Sequence, residues 1–192
     1  MMPPLLPCAA MKSFRILPAL LCALGAAAIG ACTPAHDWRE VHGTAASFTV
    51  LMPAKPTTLA RRIDLNGTAL TMTMTAAEID TVTYAVGCVE LPDGAAAKVA
   101  LQSMQIAMVN NMHGRVLHQK AAESRGSAGD VVQTDSSIDL EAVGTPPNGG
   151  PRLLLARFVA HNRDACQAIV SGPQKSVARE QADTFLTSFK LP

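Results

Sequence analysis

Leu65-Asn66-Gly67-Thr68-Ala69-Leu70-Thr71-Met72-Thr73-Met74-Thr75 is the stretch whose reading decides the fold. Asn-Gly is a strong hairpin signal, because both central residues of a type I′ turn need positive φ. Beyond the turn, Leu70, Met72 and Met74 alternate with threonines. A period of two places them on opposite faces of a strand. The apolar face points inward and the threonine face outward. Residues 62–65 supply the short partner strand before the turn. Upstream, residues 47–52 (SFTVLM) form a strand stopped by Pro53 and Pro56. Residues 37–41 open the fold and carry Trp38, the sole tryptophan.

Downstream, residues 81–91 read as a strand. Tyr84, Val86 and Cys88 share one face, Ala85, Gly87 and Val89 the other, and Pro92 ends it. Asp93 suits an N-cap. Ala97, Leu101, Met104, Met108 and Met112 then recur at helical spacing, and Gly114 is placed to stop that helix. Residues 116–120 and 131–143 read as strands, with 124–130 (SRGSAGD) as a loop between them. Residues 144–151 (GTPPNGGP) form a second loop. Residues 152–160 and 164–171 make a hairpin around His161-Asn162-Arg163. From 174 to 190, Ala178, Ala182, Phe185 and Phe189 form one stripe of a closing helix. Strands, helix, strands and helix joined by short turns define an α+β fold, a mainly antiparallel β-sheet with two packed helices.

The chain has 192 residues, enough for one domain after a leader. Aromatics are 4%, so aliphatic residues and methionine must fill the core. The formal charge is +1; without Lys12 and Arg15 the 16 basic residues fall to 14 against 15 acidic, about −1. That balance gives no footprint for nucleic acid and no polybasic run for anionic lipid.

The first 31 residues read as a signal peptide. Residues 1–10 (MMPPLLPCAA) carry no positive charge, and Met11 is the better start. From there Lys12 and Arg15 form a charged region, 16–28 an apolar one, and small residues precede a cut. Pro18 and Gly25 interrupt the apolar run, which falls short of the roughly 20 residues that span a bilayer. The segment Ile29-Gly30-Ala31-Cys32 resembles the lipobox of bacterial lipoprotein precursors: an aliphatic residue, two small ones and cysteine. Ile stands where Leu is usual. The resemblance implies that the Cys32 thiol takes a diacylglycerol, the leader is cut before it and the new amino terminus is acylated. Several acyl chains anchor stably where one does not. Thr33 rather than Asp after the cysteine implies the outer membrane of a Gram-negative cell, facing the periplasm. The competing interpretation is a plain signal peptide cut near Ala31. Residues 32–36 are then a tether, and 37–192 a single periplasmic domain.

A second resemblance covers residues 46–191. Phe185-Leu186-Thr187-Ser188-Phe189-Lys190-Leu191 is similar to the F-L-x-S-F ending of Mog1/PsbP-like domains. Phe48-Thr49-Val50-Leu51-Met52-Pro53-Ala54-Lys55-Pro56 is similar to their F-x-V-x-x-P-x-x-P opening. Tyr84 and the hairpin from Arg157-Phe158 to Cys166 fall in the matching order. The resemblance implies an α/β/α sandwich around an antiparallel sheet that acts as a binding or accessory module, with no catalytic residue.

Five cysteines are present. Cys8 and Cys22 leave with the leader and Cys32 is the lipid site, so Cys88 and Cys166 remain as a pair in an oxidising compartment. Both lie inward on strands. A disulfide and two separate buried thiols are both open.

Catalytic and metal signatures are weak. His36, His42, His113, His118 and His161 form no zinc motif, and no C-x-x-C exists. Met72-Thr73-Met74 and the Met104, Met108, Met112 series invite Cu(I), yet the same positions suit flexible core filling. Asp135, Asp139 and Glu141 can share a strand face; paired carboxylates can do acid–base work, or sit solvated. No G-x-S-x-G is found, and Gly126-Ser127-Ala128-Gly129 lacks the Lys and Ser/Thr of a phosphate loop. The expectation is a lipid-anchored, non-enzymatic envelope module without metal or cofactor. It would be held by membrane lipid through Cys32 and would contact an envelope protein. A periplasmic hydrolase and a Met-rich copper-handling lipoprotein are the alternatives.

Overall fold

Seven antiparallel strands make the central sheet, in the order β3-β4-β5-β9-β8-β7-β6. They are β3 Thr57–Leu65, β4 Thr68–Ile79, β5 Val82–Glu90, β6 Gly114–Ala128, β7 Val131–Gly144, β8 Arg152–His161 and β9 Asp164–Pro173. A separate ribbon pairs β1 Arg39–His42 with β2 Thr49–Met52. Helices α1 Gly94–Asn111 and α2 Arg179–Ser188 complete the fold, which is α+β as the segment order predicts. The computed structural model describes residues 36–192 except 45, 66, 129, 130 and 148. The signal peptide, Cys32 and all but the last residue of the tether lie outside the described residues, as does Asn66.

The sheet separates two apolar cores. On one face Tyr84, Val86, Leu155, Ala168 and Val170 meet Val50 and Met52 of β2 and Ala182, Phe185 and Phe189 at α2. On the other, Ala85, Val89, Leu154, Phe158 and Ile169 meet Ala97, Leu101 and Met104 of α1. Each central strand therefore buries both sides. This is why β5 and β9 read as near-continuous runs of small and aliphatic residues. Strand β3 at the edge is mostly exposed and carries Arg61 and Arg62, a charged edge that discourages further pairing.

Asp93 caps α1 as predicted: its carboxylate accepts from the Ala96 amide at 2.8 Å. Four local expectations are corrected. The left-handed residue after α1 is His113 (φ 48°), not Gly114. Gly114 instead pairs with Gly144 across β6 and β7, where a Cβ on Gly144 would lie 2.7 Å from the Gly114 Cα. Close backbone approach is the reason for both glycines. Residues 124–128 are strand rather than loop, since the β6–β7 ladder runs on to Ala128↔Val131. The backbone ladder continues in register there, residue for residue. The closing helix begins only at Arg179. A turn through Ser176, whose amide reaches the Pro173 carbonyl at 2.8 Å, gives the buried place to Val177 and leaves Ala178 exposed. Finally, the threonine face of β4 is not solvated throughout. Thr75 is buried, with its hydroxyl 3.0 Å from that of Thr58, because the first core extends over Ala77 beside it.

Ser188 and Lys190 lock the two ends of the described chain together. The Ser188 hydroxyl accepts from the Leu51 amide at 2.9 Å and donates to the Phe185 carbonyl at 2.7 Å. Lys190 and Thr49 exchange backbone hydrogen bonds at 2.9 and 3.0 Å. The carboxy-terminal tail thus acts as a third strand for the β1–β2 ribbon.

Candidate functional site

A groove of about 510 Å³ lies between α2 and the β6–β8 part of the sheet. Alternation places Asp135, Asp139 and Glu141 on the α2 side of β7, and Arg157 and His161 on the same side of β8. Strand β6 reaches this face through a bulge at Leu117. The register passes from Val116↔Ala142 to His118↔Glu141, which aims His118 and Lys120 into the groove instead of Leu117.

All three carboxylates are paired. Arg157 holds Asp139 in a fork, Nε to Oδ1 at 2.7 Å and Nη2 to Oδ2 at 3.1 Å, and also reaches the Leu186 carbonyl of α2 at 3.5 Å. Arg179, in the first turn of α2, holds Glu141 the same way at 3.1 and 2.5 Å. His161 Nδ1 lies 2.8 Å from Asp135 Oδ1, and its Nε2 lies 2.9 Å from Asn162 Nδ2. Hydrogen bonds from Arg179 hold the Glu141 carboxyl below its ordinary value. The charges of Arg179 and His118 assist, while burial opposes them. The Asp139 hydrogen bond in turn raises Arg157. Such forks fix geometry as well as charge. Through the Glu141–Arg179 fork and the reach of Arg157 to the Leu186 carbonyl, these pairs tie α2 to the sheet. None of the three carboxylates is left as an unpaired base.

The predicted cysteine pair sits at the centre of the sheet. Cys88 and Cys166 are direct partners in the β5–β9 ladder, their Cα atoms 4.2 Å apart and their sulfurs 2.13 Å apart, a bonding distance. Met72, Met104 and Met112 are buried in the α1 core, and Met108 packs against it. Met72 has one polar neighbour, the buried Gln167, whose Nε2 lies 3.9 Å from the thioether sulfur; the two side chains crowd the space over Gly87. The methionine series thus serves as core packing. Among the described residues no cluster of three or more His, Cys, Asp or Glu could hold a metal ion.

On the opposite face a smaller apolar recess of about 290 Å³ runs between α1 and the β3–β4 hairpin, lined by Leu65, Leu70, Leu91, Pro92, Ala96 and Val99. Leu59, Val99 and Ile106 are strongly exposed on this side of the molecule. Sequence reasoning found Asp139 and Glu141 of the groove, and Asp135 beyond it on the same strand face, but missed Arg157, Arg179 and the re-aimed His118. The pairing partners are 18 and 38 residues from their carboxylates, and the bulge has no local mark in the sequence.

Neither the protein-family models nor the curated proteins contain a match to this chain.

Proposed function

We propose that the chain is the precursor of a lipoprotein held in the outer membrane of a Gram-negative cell, its folded part facing the periplasm as a non-enzymatic binding or accessory module. The observation that carries this reading is the small-residue segment Ile29-Gly30-Ala31 before Cys32, with the charged and apolar leader ahead of it. The cross-strand pair Cys88 and Cys166 supports export, since disulfides persist in oxidising compartments. The forks that Arg157 and Arg179 make with Asp139 and Glu141 support a structural role for those two carboxylates. The Mog1/PsbP-like resemblance agrees with helices on both faces of one antiparallel sheet. It agrees also with the meeting of its two motif segments, where the Phe48 and Phe189 rings lie 6.0 Å apart. Within this reading the partners are membrane lipid and an envelope protein.

The test is Cys32→Ala in cells fed labelled palmitate. The wild-type chain takes the label and fractionates with the outer membrane, while the variant is unlabelled and released to the periplasm. A variant that remains labelled and membrane-bound overturns the reading.

A further inference from the structure

Where the described chain begins, an aromatic corner projects from the first core. His36 stacks on Trp38 with ring centres 5.7 Å apart and planes 12° apart. Trp38 meets Tyr84 edge-on at 6.4 Å, and Tyr84 meets Phe185 at 5.5 Å. The indole is thus fixed to the core through Tyr84 yet only half buried. Asp37 pairs with Arg39, and Glu40 lies 3.2 Å from the His42 ring. Strand β1, which follows at once, pairs only with β2 among the described strands.

Resting on the reading of Cys32 as the lipid site, covalent geometry then limits where the bilayer is. Three residues separate Cys32 from His36, four Cα steps with a reach of at most about 14 Å when fully extended. No other part of the described fold is tethered so closely to the anchor. Tryptophan is the residue that suits a membrane–water boundary, having an apolar ring and one N–H donor. We propose that the His36–Trp38 corner and the adjoining start of β1 form the membrane-contact surface of the anchored protein, seated in the phospholipid headgroup layer. Helix α1 and its recess, on the other side of the sheet from β1, then stay open to the periplasm.

The experiment uses the full chain, expressed and processed in bacteria, with labelled palmitate, and reconstituted into phosphatidylethanolamine–phosphatidylglycerol vesicles. Half of the vesicles carry bromine on the acyl chains just below the headgroups. Because Trp38 is the only tryptophan, all indole emission reports on this corner. Bromine quenches on near contact, so a domain merely held close would stay bright. The expected result is a loss of about half the emission in brominated vesicles, with a blue shift relative to detergent, as for a boundary-seated indole. Equal emission in both vesicle types, from protein that is labelled and floats with them, overturns this inference and leaves the anchor standing. Protein that is neither labelled nor floated overturns both. Trp38→Phe must abolish the signal; emission that survives this change would come from elsewhere and would overturn the assignment of any quenching to the corner.

Discussion

Glu141 is the residue at which the charged groove and the stability of the fold meet. Its side chain is 15% exposed and clamped by Arg179, whose hydrogen bonds lower its pKa. A carboxyl depressed by folding contributes stability that is complete above its unfolded value, near 4.5 here, and is lost as pH falls through the lower folded value. Glu141→Gln should therefore cost about 0.5–1 kcal/mol at pH 7, the scale of a solvent-screened ion pair. The gap between variant and wild type should close as pH drops below that value. Thermal unfolding of both proteins from pH 7 to pH 3 measures this; a gap that widens toward acid would contradict it. Nothing local in the sequence names Arg179 as the partner, because the two are brought together only when α2 docks on β7.

At the scale of elements, α1 shows a helix that the sequence specifies almost alone. Its stripe of Ala97, Leu101 and Met104 is buried as the spacing predicts, and Asp93 caps its first turn. Asp93→Ala removes one charge-assisted acceptor from an orphan amide and should cost about 1 kcal/mol, or about 2–4 °C in melting temperature for a fold of this size. Calorimetry of the domain reads this directly, and an unchanged melting temperature would mean that the cap carries no load. The same helix ends one residue before the place that Gly114 predicts. His113 accepts the left-handed conformation so that Gly114 can lie against Gly144, a demand set by the β6–β7 pairing rather than by the helix. Helix α2 is the counter-case. Its apolar stripe was visible, yet its start depends on a turn whose amides reach Pro151 and Pro173, contacts that exist only in the folded chain.

For the whole molecule, the pair Cys88 and Cys166 joins the adjacent strands β5 and β9 across 78 residues of chain. Closing a loop of that length lowers the entropy of the unfolded chain by an amount worth about 4–5 kcal/mol, less any strain. The expected outcome is a large fall in the denaturation midpoint of the wild-type protein under reducing conditions. The Cys88→Ala/Cys166→Ala variant should already be lowered and should not respond to reductant. A wild-type midpoint indifferent to full reduction would show that the bond adds nothing. The pair belongs to the first core, beneath β2 and α2, so its loss should weaken that side of the sheet most directly.

The α+β class, the strand faces of β5 and β9, the cap of α1 and the inward cysteines follow from the sequence by itself. Each depends on periodicity or spacing within one segment, and a backbone repeat of 2 or 3.6 residues fixes which side chains share a face. The tertiary structure alone decided which distant groups meet. It placed Arg157 on Asp139 and Arg179 on Glu141, turned His118 into the groove through the bulge at Leu117, and buried Thr75 beneath a core that a single strand cannot show. These are contacts between segments whose separation is set by sheet order and helix docking. Their energies appear only when the whole chain has folded.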